Sequence, residues 1–284
     1  MTEAPSAVEP RAIIVQLTDL HVHVGAGDAV ASERIERAIG LVSAMDPFPS
    51  AFVLTGDLVN TGTEAEYARL AELLAPLLAL GKPVLPIVGN HDDRALLRAT
   101  LGGAPNVVEL GDERHLQYVF ELRDDLRILA LDTQHTGLDT GKLCARRLAW
   151  LEAALADAPD TPTIVAMHHP PMGIGVPALD ALGIRPGDVT RFEAIVAEAP
   201  QVELVIAGHV HRTVTGRIAH APVFTCPSVF HASRVAFRAD APLQLVQSPV
   251  GVGVHALLAP DGIASHARVV GPTPGEVIPI APIA

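Results

Sequence analysis

The chain has 284 residues, of which 49% are hydrophobic and 4% aromatic, and its formal net charge is −12. This length fits one large domain with an aliphatic core, and the acidic excess excludes the broad basic face that binds a nucleic-acid polymer. No apolar stretch is long enough to cross a bilayer, and residues 1–11 lack a secretion signal, so we expect a cytoplasmic protein without membrane association. Cys144 and Cys226 give no disulfide framework, although a single bridge between them stays open.

Apolar runs typical of buried strands alternate with helix-like segments as far as about residue 207. Strands are predicted at 12–18, 51–55, 83–88, 115–121, 126–131, 163–167 and 202–207. Helices are predicted near 30–45, 63–80, 92–101, 144–158 and 189–199. Pro76 predicts a kink or break in the second of these helices.

After about residue 212 the pattern is purely β-like. The strand-like runs there are TVTGRIA, APVFTC, SRVAF, LQLVQ, GVHALLA and SHARVV. The whole pattern predicts an α/β fold in which two facing mixed β-sheets lie between outer helices. We expect a disordered tail over 1–11 and a single domain over 12–284. Within it, residues from about 228 to 284 finish the second sheet, form a cap or contact another subunit.

Five short motifs each follow one of the predicted strands. They are Asp19-Leu20-His21, Gly56-Asp57, Gly89-Asn90-His91-Asp92, His168-His169-Pro170 and Gly208-His209-Val210-His211. Parallel strands bring such segments to one sheet edge, where ligand sites form. Side chains two apart point the same way on an extended chain, and adjacent ones point apart, so one of the two adjacent histidines reaches the site. Each motif alone also fits a turn or surface role; together they predict a pair of divalent metal ions.

This ordered set resembles the pattern of the calcineurin-like metallophosphoesterase superfamily over about residues 12–212. The resemblance implies that one metal ion is held by Asp19, His21, Asp57 and His211. It also implies that Asp57 bridges to a second ion, which is held further by Asn90, His168 and His209. By the same resemblance, His91 faces the substrate phosphate and does not bind metal.

The segments GDLVNTG, GNHDDRAL and MHHPP resemble one branch of that superfamily. They are similar to the class III cyclic-nucleotide phosphodiesterases of bacteria and equally to glycerophosphodiester phosphodiesterases. Purple acid phosphatases carry a tyrosine three residues after the bridging aspartate, whereas Asn60 occupies that position here. The resemblance implies a soluble homo-oligomer, a dimer or larger, that uses Fe, Mn, Zn or Co.

Mixed nitrogen and oxygen ligands suit Fe, Mn, Zn or Co better than Mg or Ca. Two such ions supply a hydroxide that attacks phosphorus, with His91 as candidate proton donor. Asp92 either orients His91 or caps the following helix, and the loop 170–187 is expected to line the substrate pocket. We predict a binuclear phosphodiesterase for small phosphodiesters, first of all 3′,5′-cyclic nucleotides. A glycerophosphodiester or broad-specificity phosphodiesterase, a phosphomonoesterase and a non-catalytic scaffold are the alternatives.

Overall fold

Two mixed β-sheets flanked by helices form the fold, which confirms the predicted architecture. The computed structural model describes residues 9–111, 114–123, 125–246, 249–258 and 262–271. The five-stranded sheet has the order β13 (Ile263–Val270), β12 (Val250–Leu257), β1 (Ala12–Leu17), β2 (Ala51–Thr55), β3 (Val84–Ile87). The six-stranded sheet has the order β4 (Tyr118–Arg123), β5 (Leu126–Leu131), β6 (Thr163–Met167), β7 (Val202–Ala207), β9 (Ala221–Thr225), β8 (Val214–Ile218).

Five helices lie close to their predicted positions, and one short helix was not predicted. The helices are α1 (Asp28–Ser43), α2 (Glu64–Leu78), α3 (Arg94–Leu101), α4 (Ala145–Asp157), α5 (Pro177–Asp180) and α6 (Pro186–Ala197). Of the kink or break predicted at Pro76, the break does not occur, because α2 continues to Leu78. Because Pro76 lies in the last turn, its missing N–H and its ring disturb only the end of the helix.

In the six-stranded sheet, successive side chains along a strand pack on opposite faces of the sheet. On β5, Ile128 and Ala130 pack into the core that contains the five-stranded sheet. The intervening Leu129 and Leu131 pack into a second core with the apolar stripes of α4 and α6. One face of this sheet therefore meets the other sheet, and the opposite face meets two helices.

The parallel strands bring the motif loops to one side of the fold. Strands β1, β2 and β3 are mutually parallel, and so are β5, β6, β7 and β9. Beyond the strands, the Asp19 N–H donates to Gly56 O at 2.9 Å and the His21 N–H donates to Asp57 O at 3.0 Å. In the other sheet, the Gly208 N–H donates to His168 O at 2.9 Å. Neighbouring motif loops are therefore fixed to one another by backbone hydrogen bonds.

The C-terminal strands join the sheet that begins the chain. Strand β12 lies between β1 and β13 and is antiparallel to both, so this part completes the five-stranded sheet rather than the second one. The predicted strand SRVAF is largely wrong, because only Ser233 of it lies in the short ribbon β10 (Ala232–Ser233) and β11 (Leu245–Val246). Val235 and Phe237 beyond it are exposed and have no strand partner in the described chain.

Three other expectations concern the chain ends, the cysteines and membranes. Residues 1–8 and 272–284 lie outside the described residues, so most of the predicted tail and the last part of the predicted domain do too. Both cysteines are free thiols. Within the described ranges, no helix has the length and apolar character that a membrane span requires.

Candidate metal centre

The backbone at most of the predicted metal ligands is left-handed. Asp19, His21, Asp57, His209 and His211 have φ angles of 50°, 44°, 50°, 69° and 53°. The expectation of an extended chain through the two D-x-H and H-x-H pairs is therefore wrong. Such backbone costs of order 1 kcal/mol or more per residue and persists where surrounding contacts enforce it, as at functional sites. Tight turns, rather than strand alternation, direct these side chains to a common place.

The first predicted ligand group is brought together by the structure. One ligand atom each from Asp19, His21, Asp57 and His211 lies within 4.8 Å of the others, and all four residues are buried. His21 Nε2 is 3.2 Å from His211 Nε2, and His211 Nε2 is 3.2 Å from Asp19 Oδ1. Ligands at about 2.0–2.2 Å from one transition-metal ion stand about 3–4 Å apart. The spacing of this group therefore suits a single ion.

The second predicted group adjoins the first through Asp57. His168 Nε2 is 3.3 Å from Asp57 Oδ2 and 3.0 Å from Asn90 Oδ1. His209 Nδ1 is 3.1 Å from the same Asn90 oxygen. Asp57 Oδ1 accepts the backbone N–H of His91 at 2.9 Å, which leaves Oδ2 between the two groups. The geometry of Asp57 is that of a carboxylate able to bridge two cations.

The charge states of these groups fit metal binding. Burial by itself would raise the pKa of Asp19, but the adjacent His211 outweighs burial and lowers this pKa to about 2. Burial lowers the pKa values of His21 and His209 to about 3, so both imidazoles are neutral near pH 7. Among the described residues, His21 Nδ1 and His209 Nε2 are buried without a hydrogen-bond partner. Ionised carboxylates, neutral imidazoles and an amide oxygen are a donor set for transition-metal cations.

His168 is oriented from behind by the backbone of the other sheet. Its Nδ1–H donates to Thr55 O at 2.8 Å, which fixes the ring and aims Nε2 at Asp57 and Asn90. A hydrogen bond of this kind commonly orients a histidine that binds metal through its other nitrogen. Burial lowers the pKa of His168, but the charge of Asp57 outweighs it and raises this pKa to about 9. The Asp57 carboxylate thus attracts positive charge strongly.

Two of the motif glycines allow the ligand loops to approach closely. A Cβ atom on Gly89 would collide with the side chain and backbone of Asp57, and one on Gly208 would collide with Thr18 Oγ1. Thr18 Oγ1 donates to Asp19 Oδ2 at 2.7 Å. Any larger residue at either glycine would therefore push directly on a predicted metal ligand or on its hydrogen-bond donor.

His91 lies at the mouth of the site and not within the ligand groups. Its Nδ1–H donates to Asn60 O at 2.6 Å, and its Nε2 stands 4.0 Å from Asp57 Oδ2. The side chain is 36% exposed, whereas that of Asp57 is 2% exposed. His91 therefore presents one ring nitrogen to the space in front of the metal ligands, where a substrate would bind.

Asp92 has neither of the two predicted roles. Its buried carboxylate accepts hydrogen bonds from Gly89 N at 2.8 Å, Leu58 N at 3.1 Å, Tyr67 Oη at 3.2 Å and Val59 N at 3.4 Å. Across the described chain it makes no hydrogen bond to the His91 imidazole, whose Nδ1 is held by Asn60 instead. Asp92 ties the loop after β2 to the loop after β3, so it positions both Asp57 and Asn90.

The cap of helix α3 is the next aspartate along the chain. The Asp93 carboxylate accepts hydrogen bonds from Ala95 N and Leu96 N, both at 2.9 Å. The helix begins at Arg94, two residues after the predicted start, which moves the cap from Asp92 to its neighbour. Asp92 is thereby left free to point inward.

His169 packs behind His209 and contributes no free nitrogen. Its ring centroid is 4.3 Å from that of His209. Its Nδ1 is 2.9 Å from Thr133 Oγ1, and its Nε2–H donates to Asp139 O at 3.1 Å. With both nitrogens occupied, His169 supports the ligand next to it, and only His168 of this adjacent pair faces Asp57.

The structure adds one histidine that the motifs did not identify. His231 Nδ1 is 2.7 Å from His211 Nδ1, and the two rings are stacked with centroids 4.6 Å apart. His231 also forms a close group with His21 and His211. It follows no predicted strand and belongs to none of the five motifs, so no sequence signal marked it.

Gln134 is a second residue that sequence reasoning missed. Its side-chain amide donates to Gly89 O at 2.8 Å and also to Asp92 O. Its backbone carbonyl accepts from Arg94 at 3.0 Å, and the Arg94 guanidinium pairs with buried Asp132 at 2.6 and 2.9 Å. The loop that carries Asn90 and His91 is thus held from this side as well.

A cavity of about 200 Å³ opens in front of both ligand groups. Apart from the ligands, its polar lining includes Asn60, His91, Asp139, His231 and Ser233. The rest of its wall is formed by four leucines: Leu179, Leu182, Leu243 and Leu245. No lysine or arginine lines it in the part of the chain that the structure describes.

Comparison with known proteins shows what this chain is similar to. Residues 13–213 match the family model described as calcineurin-like phosphoesterase. A "probable glycerophosphodiester phosphodiesterase GpdQ" of Arcobacter nitrofigilis is 29% identical over 91% of this chain and 93% of its own length. A "probable cyclic nucleotide phosphodiesterase" of Rhodococcus erythropolis is 35% identical over 77% of this chain and 71% of its own.

The fold itself has counterparts among experimentally solved proteins. A dimetal phosphatase from Danio rerio superimposes with a TM-score of 0.67 over 93% of this chain and 98% of that chain. The two sequences are 14% identical, so this likeness concerns the fold alone.

Proposed function

Because the chain belongs to the calcineurin-like phosphoesterase family, we propose that it is a binuclear phosphodiesterase for small diesters, with 3′,5′-cyclic nucleotides the first class to test. The observation that supports this most directly is the position of Asp57 Oδ2. It lies 3.9 Å from His21 Nε2 on one side and 3.3 Å from His168 Nε2 on the other. One carboxylate oxygen therefore serves two adjacent groups of ligands.

The residues would divide as the motifs suggest. Asp19, His21 and His211 would hold one ion, Asn90, His168 and His209 the other, and Asp57 both, with Fe, Mn, Zn or Co as candidates. Bound ions of this kind lower the pKa of water from 15.7 toward about 7 and stabilise the attacking and leaving oxygens at phosphorus. Thr18 and Thr55 would hold Asp19 and His168 in position through the hydrogen bonds described above.

The charge of the cavity favours a diester over a monoester. Asp19 and Asp57 already balance part of the charge of two cations, and the described lining adds no lysine or arginine. A phosphomonoester carries close to two negative charges at pH 7, because its second pKa is about 6, whereas a diester carries one. Among the described residues, the lining offers no lysine or arginine to bind the second charge.

His91 is the residue proposed to move a proton. Nδ1–H is committed to Asn60 O, so Nε2 is the nitrogen that faces the cavity. As an imidazolium, Nε2 can donate to the alkoxide that leaves when the ester bond to phosphorus breaks, or hold a phosphoryl oxygen in the transition state. Positioned acids of this kind contribute about 10²–10⁴-fold in rate.

Glycerophosphodiesters are the second candidate substrate class, because the relative that aligns over 91% of this chain carries that name. Assembly into a dimer or larger oligomer and a cytoplasmic location stay predictions from the sequence.

A direct test uses purified protein reconstituted separately with Mn²⁺, Zn²⁺, Co²⁺ and anaerobic Fe²⁺. We expect about two ions per chain by elemental analysis, and faster hydrolysis of bis(p-nitrophenyl) phosphate than of p-nitrophenyl phosphate. A panel of cyclic nucleotides and glycerophosphodiesters then ranks the natural substrate classes. Preference for the monoester would contradict the proposed reaction, and inactivity with every metal would favour the scaffold alternative.

A further inference from the structure

A second cavity of about 340 Å³ adjoins the metal centre on the side of His209. His209 and Leu179 line both this cavity and the one in front of the ligands. Its wall comes largely from the segment between β6 and α6, which directly follows His168 and His169. The two spaces are therefore neighbours that share a predicted metal ligand.

The surface of this side cavity is aliphatic. The side chains that give it this character are Met172, Ile174, Leu179, Ile184, Val189 and Val210. Ile174, Leu179 and Val210 also form a small apolar cluster of their own. Within the described chain no aromatic ring other than the His209 imidazole lines the cavity, so it offers no platform on which a base could stack between rings.

Apart from the predicted metal ligand His209, the polar side chains of this wall are Asp180 and Thr190, and both already form hydrogen bonds within the protein. The Asp180 carboxylate accepts the backbone N–H groups of Ile174 at 2.7 Å and Gly175 at 3.1 Å. The Thr190 hydroxyl donates to Pro186 O at 3.1 Å. A ligand group in this cavity would therefore find apolar contacts and few partners for hydroxyl or charged groups.

We propose that the side cavity binds one ester arm of the phosphodiester and selects an uncharged aliphatic arm over a polar one. This inference rests on the proposed function, since the phosphate must sit at the metal centre for its arm to enter. The shared residues His209 and Leu179 place the entrance of the side cavity beside the phosphate site. A volume of this size is within the range of about 300–1,000 Å³ that small-molecule pockets occupy.

The expected selectivity follows from desolvation. Burial of each additional methylene is worth about 0.8 kcal/mol, which corresponds to about a fourfold gain in affinity. A hydroxyl that is buried without a partner loses its hydrogen bonds to water. We therefore expect at least about fivefold weaker binding for each hydroxyl on an arm of the same length.

The test measures binding of alkyl methylphosphonates, which are monoanions with one ester arm. Calorimetry on the manganese-loaded protein compares methyl, ethyl, propyl and butyl esters with the 2,3-dihydroxypropyl ester. We expect Kd to fall about fourfold per methylene, and the dihydroxypropyl ester to bind more weakly than the propyl ester. Equal Kd values along the series, tighter binding of the dihydroxypropyl ester, or no binding at all would overturn the inference.

Two variants locate the effect. Val189→Phe fills the side cavity and should flatten the dependence of Kd on arm length, while Val119→Phe, at a 40% exposed position on β4, should preserve it. Ile174→Ser makes the wall polar without filling it and should weaken the butyl ester more than the methyl ester. If Kd depends on arm length in both Val189→Phe and Ile174→Ser as it does in the parent protein, the arm binds elsewhere.

Activity separates this inference from the proposed function. Hydrolysis of bis(p-nitrophenyl) phosphate by the same manganese-loaded sample tests the reaction, whereas the series of Kd values tests the arm site. If the protein is active but Kd does not change along the ester series, the proposed function stands and the aliphatic subsite is contradicted. An inactive protein would lose both.

Discussion

The loops that carry the predicted metal ligands and the segments that wall the cavities are built differently. The loops after β2 and β3 are tied together by the buried Asp92 carboxylate and by the Gln134 amide. By contrast, Leu243 and Leu245 on the wall are 44% and 55% exposed. The loops that carry Asp57 and Asn90 are cross-linked by hydrogen bonds, whereas parts of the wall are exposed to solvent.

We infer that the ligand loops set the geometry of the reaction and that the cavity walls set the choice of substrate. The reaction tolerates little displacement of the reacting groups. The residues that would react therefore lie where backbone turns and hydrogen bonds fix their positions. Substrate choice depends on the shape and polarity of surrounding loops, which can change without disturbing the ligands. Substitutions should therefore be severe in the first region and mild in the second.

Replacing the bridging carboxylate should give the largest effect. Asp57→Ala removes the oxygen that both ligand groups share, so we expect the metal content to fall toward zero. Activity on bis(p-nitrophenyl) phosphate should fall by more than the about 10²–10⁴-fold expected for loss of a proton donor. Asp139→Ala, which removes an exposed carboxylate from the same cavity, should keep both ions. Normal metal content in Asp57→Ala would refute the bridging role.

His91→Ala should separate chemistry from metal binding. Since His91 lies outside both ligand groups, two ions per chain should remain, while kcat falls about 10²–10⁴-fold. On the same sample, steady-state kinetics measures kcat and elemental analysis measures the metal content. Unchanged kcat would remove His91 from the reaction, and loss of metal would make it a ligand.

Asp92→Asn should weaken metal binding without removing a ligand. The amide cannot accept every N–H that the carboxylate accepts, so the loops that carry Asp57 and Asn90 should loosen. Residues that orient ligands typically contribute about 10–100-fold to metal affinity, which a competition titration with a chelator measures. Asp93→Asn is the matched control, because asparagine caps a helix as well as aspartate. Equal affinities in the two variants would contradict the positioning role.

Changes to the exposed wall should have the smallest effect. Leu243→Ala and Leu245→Ala shorten partly exposed side chains that are not among the predicted metal ligands. We expect KM to change about two- to fivefold, with kcat and metal content preserved, because substitutions at exposed positions usually have small energetic effects. A loss of bound metal in either variant would show that wall and ligand loops are coupled.

The sequence predicted the two sheets and the convergence of the motif residues because strand periodicity and the order of the motifs are both local signals. It could not predict the left-handed backbone at Asp19 or His209, since that conformation is imposed by neighbouring loops. The sequence could not predict the position of His231 either, because that position depends on how a segment without regular structure folds over His211. From the sequence, Asp92 is a candidate cap of helix α3, whereas in the structure Asp93 caps it. The reason is that α3 begins at Arg94, two residues later than predicted.

The pairing of β12 with β1 has a consequence for how the protein is made. Ile14 lies opposite His255 in this ladder, whereas every predicted ligand lies between Asp19 and His211. During translation, a nascent chain therefore displays all the predicted metal ligands before its first strand has gained both neighbours. Contacts so distant in sequence form late and slowly. We expect the ribosome-bound chain to hold its ions weakly until the last strands emerge and close the sheet.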